Sequence, residues 1–409
     1  MEMSITEIRA QFPALSRTVY GKPLVYLDNA ATAQRPLSVM DAYRAMGLEH
    51  NGNLHRSVHA LSLEATKAYE DTREAVRRFL NAASREELVF TSGTTAAINL
   101  VAFSFGEAFV GPGDEVVVSV AEHHSNLVPW QLLCQRKKAT LKVLDIRENG
   151  ALSLEQLEKL LSERTKIVAI SQISNVLGLV NPVQEIIRIC HAKGIPVLVD
   201  GAQGAVHLPV DVQALDCDFY AFSGHKLYAA TGTGVLYGKR KYLEAMPPYM
   251  GGGEMIGSVS LTQGDTWAPL PGKFEAGTQN FNAVPTLVPA LELLKALRED
   301  AAVQAEQKAI QSFILAKFAE DERITIYGTD TSAKVPIFSF AVKGAHHEDL
   351  ALILDKMGVA VRSGQMCAEP LMDRLGVTGL VRASFGPYNT LEEAEYFVEC
   401  LEKGIHMLI

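Results

Sequence analysis

The stretch Ile195-Pro-Val-Leu-Val-Asp200, followed by Gly201-Ala-Gln-Gly204, decides the fold. An apolar run without alternation reads as a strand covered on both faces, as in parallel sheets flanked by helices. The same grammar repeats outward. Leu88–Thr91, Glu115–Val120, Leu141–Asp145, Ile167–Gln172 and Phe219–Ser223 read as strands, with amphipathic patterns such as Ser153–Leu161 and Pro182–Lys193 between them. The expected class is α/β with a mostly parallel sheet. Such sheets bind ligands beyond the carboxyl ends of their strands.

After Met246 the texture changes. Pro247-Pro248, Gly251–Gly253 and Pro269–Pro271 mark an irregular segment to about residue 285, and a loop that long in a compact domain is usually functional. A helical pattern then covers about Thr286–Glu320. Strand Val335–Val342, helix His347–Met357, strands Val359–Ser363 and Val381–Phe385 and a final helix Leu391–Leu408 follow. This predicts a second, smaller α+β domain. The expected division is a large domain of residues 20–285 and a small one of residues 1–19 plus 286–409.

The 409 residues are enough for two domains with large cores. Lys plus Arg number 38 and Asp plus Glu 47, a net charge of −9 with no basic block. Nucleic acid and membrane surfaces are therefore not expected partners. No apolar stretch approaches the ~20 residues of a membrane-spanning helix. The opening Met1–Arg17 carries charges and no long apolar run, so no secretion signal is expected. The cysteines at 134, 190, 217, 367 and 400 are scattered, with no CxxC pair. That fits a reducing cytoplasm better than disulfides or a zinc site.

Asp200 ends its strand, which puts a carboxylate at the ligand crevice; the plainer reading is a helix cap. Lys226, in Ser223-Gly-His-Lys226, ends the next strand. A desolvated lysine has a depressed pKa and forms Schiff bases, although most lysines are simply exposed. A carboxylate and a lysine at successive strand ends are together what pyridoxal phosphate (PLP) needs. The acid keeps the ring nitrogen protonated and the lysine holds the aldehyde. The phosphate needs a cradle. Thr91-Ser-Gly-Thr-Thr95 lies between a strand and a helix predicted over Ala96–Phe103. Hydroxyls and N–H groups at a helix start attract phosphate, which singles out Thr94 and Thr95, though such a turn is often only a cap. Ser223 and His225 are placed to complete the cradle. His123, in Glu122-His-His-Ser-Asn126, also follows a strand end and suits stacking on a pyridine ring and proton transfer. The His pair lacks an HExxH pattern or an acidic partner at ligand spacing, so no metal is expected.

Four cysteines sit in apolar or helical surroundings and read as core. Cys367 lies instead in a polar turn five residues after Arg362. A thiol there is accessible and a neighbouring guanidinium favours its thiolate, which makes it the candidate nucleophile.

Nine stretches in register carry a resemblance that runs nearly end to end. They are Tyr26-Leu-Asp-Asn-Ala-Ala-Thr32, Asn53-Leu-His-Arg56, Thr91–Thr95, Glu122–Trp130, Asp200–Gln203, Phe222–Lys226, Phe274-Glu-Ala-Gly-Thr278, Arg362–Leu371 and Arg382-Ala-Ser384. The chain resembles the cysteine desulfurases of the class V aminotransferase group, PLP-dependent transferases of fold type I. It is most similar to their SUF-type, group II branch, which has cysteine sulfinate desulfinase and selenocysteine lyase relatives. The resemblance implies a mostly parallel, seven-stranded sheet in the large domain and the catalytic cysteine on the small one. It implies that Lys226 holds PLP, Asp200 pairs with its ring nitrogen, Gln203 bonds its ring oxygen and His123 stacks. Thr94, Thr95, Ser223 and His225 would hold the phosphate, and Thr278 would reach the phosphate of a partner subunit in a homodimer. Asn175, Arg362, Arg382 and His55 would serve the substrate, L-cysteine. Cys367 would take its sulfur as a persulfide, releasing L-alanine. A SufE- or SufU-like acceptor protein would then receive the sulfur for iron–sulfur cluster assembly in the cytoplasm.

Two departures stand out. Where relatives carry His before the cysteine, this chain has Gln365-Met366, and where they read Gly-Pro after the lysine it has Ala229-Ala230. Selenocysteine lyase and cysteine sulfinate desulfinase are the nearest alternatives on the same site. Ser223-x-x-Lys226 also matches the S-x-x-K signature of serine hydrolases, but the Ser-Asp-Asn and Lys-Thr-Gly companions are missing. His346 and His347 read as a solvated helix start.

Overall fold

The computed structural model describes residues 4–55, 57–329 and 333–409. Arg56, which closes the Asn53–Arg56 stretch, lies outside the described residues. Seven strands form the large sheet: β1 (Leu88–Thr91), β2 (Glu115–Ser119), β3 (Thr140–Leu144), β4 (Thr165–Ser171), β5 (Val197–Asp200), β6 (Phe219–Ser223) and β7 (Gly234–Gly238). Their order is β1-β7-β6-β5-β4-β2-β3. Only β7 breaks the parallel pattern, running antiparallel to both β1 and β6.

The apolar runs explain the sheet. Successive side chains of a strand point to opposite faces, and both faces here are buried. Val116 and Val118 pack with Val89, Ile167, Ala169 and Leu198 on one face. Val117 packs with Phe90, Val168, Ile170 and Val199 on the other. The sequence reading identifies six of the seven strands. It passes over β7, because Gly234-Val-Leu-Tyr-Gly238 is short and bounded by glycines.

Register brings the strand ends level. Ser171 pairs with Asp200, and Asp200 with Ala221. The carboxyl ends of β4, β5 and β6 therefore open on one crevice. Helix α1 (Ala60–Leu80) packs beside the sheet, and α2 (Thr94–Phe109) starts directly after β1.

The remainder builds a four-stranded antiparallel sheet from β8 (Ile324–Tyr327), β9 (Ile337–Val342), β10 (Arg362–Gly364) and β11 (Leu380–Ser384), in the order β8-β9-β11-β10. The expected long helix over 286–320 is two helices, α3 (Leu287–Glu299) and α4 (Ala301–Glu320). Asp300 is extended at the break, and its carboxylate accepts from the N–H groups of Ala302 and Val303. A capping Asp is the physical reason the pattern splits there. The expected strand Val359–Ser363 also divides. Val359–Ala360 pairs in parallel with Val25–Tyr26, while Arg362–Gly364 pairs with β11. The last helix, α5 (Leu391–Leu408), has the predicted bounds and opens on a capping box of Thr390 and Glu393. Near the expected domain boundaries, Val25 and Leu27 pack in the small-sheet core with Ile310 and Phe338. Ile8, Phe12, Leu287 and Leu294 pack in the core of the large sheet. Among the described residues, no helix is long and apolar enough to cross a membrane.

Candidate active site

The crevice at the strand ends is a cavity of about 300 Å³. Thr94, Thr95, His123, Asn175, Asp200, Gln203, Ser223, His225, Lys226, Arg362, Cys367 and Arg382 all line it. They come from positions as far apart as 94 and 382, so the tertiary fold gathers almost every residue singled out in the sequence. His55 and Thr278 are the exceptions. They line a different cavity, together with Arg73 and Glu275.

One end of the cavity is the start of α2. The Thr94 N–H donates to Ser223 Oγ at 2.8 Å, and Thr95 Oγ1 meets Ser125 Oγ at 2.7 Å. Ser125 is a site residue the sequence reading did not single out, though it sits inside the quoted Glu122–Trp130 stretch. The first N–H groups of this 16-residue helix have no partner within the helix. Together with the hydroxyls they form an anion cradle. The same bonds occupy Ser223 Oγ, which counts against the S-x-x-K hydrolase reading. The cradle also needs a close backbone approach. A Cβ on Gly234 of β7 would lie 2.7 Å from Gly93 N and 2.8 Å from Gly93 C. Gly234→Ala is expected to displace the turn and weaken PLP affinity at least ~10-fold, about 1.4 kcal/mol. An absorbance titration of apoenzyme with PLP checks this, and unchanged affinity would show that β1 moves aside without disturbing the turn.

Opposite charges face each other deeper in. Asp200 Oδ1 accepts from the Ala202 N–H at 2.9 Å. Burial pushes the Asp200 carboxyl up, while Ala202 and the nearby Lys226 hold it down. Burial pulls the Lys226 amine below its ordinary range, against the pull of Asp200. This is the electrostatic setting of a nucleophilic amine. His123 accepts from the Ser125 N–H through Nδ1 at 3.0 Å, so a neutral ring carries its proton on Nε2. Burial, with Lys226 nearby, brings His123 down to about 3, and the ring is neutral. His225 is brought down to about 4, first by burial and then by Lys226. Beneath His123, burial pushes Glu122 up to about 7, while Ser119 and Asn126 donate to its carboxylate at 2.5 and 2.7 Å. Gln203 donates to the Ala30 carbonyl at 2.8 Å.

Arg382 forms the far wall. Nη1 donates to the Asn175 carbonyl at 2.8 Å and Nη2 to Asp28 at 3.1 Å. Nε is buried and has no partner among the described residues. Burial lowers Arg382 and raises Asp28, and their ion pair opposes both shifts. Asp28 was not singled out in the sequence, though it belongs to the quoted Tyr26–Thr32 stretch. Arg382 lines the cavity, and a guanidinium suits a substrate carboxylate. The Asn175 amide donates to the Met366 carbonyl at 2.8 Å, so this group holds the cysteine turn in this structure.

Cys367 is exposed, whereas Cys134, Cys190, Cys217 and Cys400 are buried. Met366 and Cys367 both have left-handed backbone, with φ of 52° and 55°. Such non-glycine residues are costly and persist where surroundings hold them. The holding bonds are visible. The His124 N–H donates to the Cys367 carbonyl at 2.7 Å, and the Glu369 N–H donates to His124 Nε2 at 3.1 Å. Met366 is buried, and its thioether offers no proton carrier beside the thiol.

The residues fit PLP on these observations. The helix-start cradle matches a phosphate, buried Asp200 a pyridinium nitrogen and Lys226 an aldehyde. Among the described residues, no three His, Cys, Asp or Glu side chains are grouped to hold a metal ion.

Comparisons with known proteins agree. A family model described as aminotransferase class-V matches residues 25–397. A cysteine desulfurase of Dickeya dadantii is 50% identical over 406 residues, covering 99% of this chain and 97% of its own. A probable cysteine desulfurase of Vibrio cholerae is 45% identical over 408 residues, covering all of both. Among solved structures, the cysteine desulfurase CsdA (S-sulfonic acid) from Escherichia coli matches with a TM-score of 0.90 at 40% identity, over 100% of each chain. The apo cysteine desulfurase from Thermococcus onnurineus matches with 0.92 at 36% identity, over 99% of each.

Proposed function

The chain belongs to the class-V aminotransferase family and is a PLP-dependent cysteine desulfurase, and on that premise we propose how its own residues divide the work. The observation that carries the proposal is one cavity lined by Lys226, Asp200, Arg382 and an exposed Cys367.

Lys226 would hold the cofactor's aldehyde, Asp200 would pair with its ring nitrogen, Gln203 would serve its ring oxygen, Thr94, Thr95, Ser223 and His225 would hold its phosphate, and His123 would stack on its ring. When bound, PLP supplies an electron sink that labilises bonds at the substrate's α and β carbons. Arg382 would fix the substrate carboxylate, and exposed Arg362 adds positive charge at the mouth. Inside the crevice the desolvated Lys226 amine would accept and return protons, while neutral His123, its Nδ1 occupied by the Ser125 N–H, offers its Nε2–H as a donor. Cys367, as thiolate, attacks the substrate Sγ. A sulfur–sulfur bond forms, the Cβ–Sγ bond breaks, and its electron pair stays with carbon. That carbon takes a proton and leaves as L-alanine, while the sulfur remains on Cys367 as a persulfide. His55 is proposed at the substrate entrance.

The persulfide turn is short and bonded to Asn175 and His124, so its reach is limited. A small acceptor protein of the SufE or SufU kind must come to it, feeding iron–sulfur cluster assembly. We place the enzyme in the cytoplasm, where its five free cysteines stay reduced. A homodimer is supported by Thr278 lying outside the active-site cavity of its own chain and by exposed Met40, Tyr43, Leu61 and Leu63.

The test is alanine release from L-cysteine by the purified holoenzyme with reductant present. Alanine and sulfide should form in equal amounts, and a SufE-like acceptor should raise turnover severalfold. Alanine formation that no acceptor accelerates would sink the acceptor reading. No alanine at all would sink the proposed division of labour.

A further inference from the structure

A second cavity, of about 260 Å³, lies behind Lys226. Lys226 and Ala30 line both it and the first cavity. The corner between α3 and α4 forms one wall. Among the described residues, no Asp or Glu lines it, although the chain carries a net charge of −9.

Its charged lining is all of one sign. Arg298, Lys308 and Lys334 contribute cations, and His207 a half-buried imidazole. Arg298 is half-buried over the Phe79 ring, with Nη2 donating to the Ala205 carbonyl. Its Nε is buried, without a partner among the described residues. Among the described residues, no carboxylate lies within ion-pair distance of Arg298. Among the described residues, the Lys334 amine donates only to main-chain carbonyls, those of Leu177 and Gly328, and burial pulls it down to about 7. Gln304, Gln307 and Gln311 present an amide stripe on α4, each donating to a main-chain carbonyl.

A half-buried guanidinium without a carboxylate partner is costly, and an anion removes that cost. Arginine's planar fork is suited to carboxylate and phosphate oxygens. We propose that this cavity is a second binding site, for a small molecule bearing an oxyanion group, either carboxylate or phosphate, held by Arg298 with Lys308 and Lys334 around it. The ligand would lie against Tyr228, which follows Lys226 by two residues and has a left-handed backbone, φ 75°. Occupancy is thereby connected to the segment that carries the active-site amine.

The experiment is isothermal titration of the holoenzyme, whose own phosphate cradle is filled, with inorganic phosphate and separately with malonate. At least one should bind the wild type, and Arg298→Gln should weaken that binding at least ~10-fold without changing the cofactor's absorbance. Phosphate binding alone assigns a phosphate ligand, and malonate binding alone a carboxylate. Binding by neither, or equal binding by wild type and variant, overturns the proposal. Should Arg298→Gln not fold, Lys308→Glu at the exposed rim gives the same comparison, because it brings a carboxylate to a cavity that has none.

Discussion

Cys367→Ser is expected to lower alanine release from L-cysteine at least ~100-fold, about 2.7 kcal/mol of barrier. The size of the effect follows from the thiol inventory. Of the five cysteines only Cys367 is exposed, and it alone lines the cavity with Lys226 and Arg382. Burial pushes the Cys134 thiol up to about 11 and the Cys190 thiol to about 12, and raises those of Cys217 and Cys400 as well. None of these can substitute, because the thiolate is the nucleophile and a buried thiol stays protonated. Serine keeps the shape of the turn and the bonds to His124 and Asn175, which are to main-chain carbonyls. Cofactor stoichiometry and absorbance should therefore match the wild type. A variant that keeps a third or more of the alanine rate with an intact cofactor would refute the persulfide step at Cys367. Selenocysteine would then be the next substrate to try, because a lyase on the same site depends less on a protein thiol.

Glu275→Ala should destabilise the holoenzyme by about 3–5 kcal/mol. Glu275 and Arg73 form a buried ion pair, with side chains 6% and 2% exposed. Two parallel bonds of 2.8 Å join the guanidinium to the carboxylate. The Phe90 N–H of β1 donates to the same carboxylate at 2.7 Å. Removing it leaves a buried cation and a buried strand N–H without their acceptor, which costs far more than an exposed pair would. The loss should fall toward the lower bound, because Glu70 still faces Arg73 at 3.2 Å. Urea unfolding followed by tryptophan fluorescence measures it. A loss below ~1 kcal/mol would mean that water satisfies Arg73 and that the pair is not a structural clamp. The clamp also ties the irregular segment carrying Thr278 to α1 and β1. The variant should consequently bind PLP less tightly, if Thr278 completes a partner's phosphate site.

Much of this protein was legible in one dimension. Continuous apolar runs identify strands because a sheet buried on both faces needs them, and the last polar residue of each run marks the crevice. Asp200, Lys226, His123 and the Thr91–Thr95 turn follow from that rule, and Cys367 from the polarity of its neighbours. The end-to-end resemblance added Gln203, Asn175 and Arg382. Short elements bounded by glycine, such as Gly234–Gly238, carry too little periodicity to be read. The division of a helical pattern at Asp300 depends on one capping carboxylate rather than on apolar spacing.

Pairing across long separations is a different kind of information. Asp28 with Arg382, Arg73 with Glu275, Thr94 with Ser223 and His124 with Cys367 are each settled by how the elements pack. A charge or a hydroxyl has no preferred partner until packing brings one within about 3 Å and excludes the water that would otherwise serve. The sequence by itself determined which chemistries the chain carries and on which strand ends they sit. Only the tertiary structure decided which groups are spent on each other, and that Arg382, Lys226 and Cys367 line one cavity.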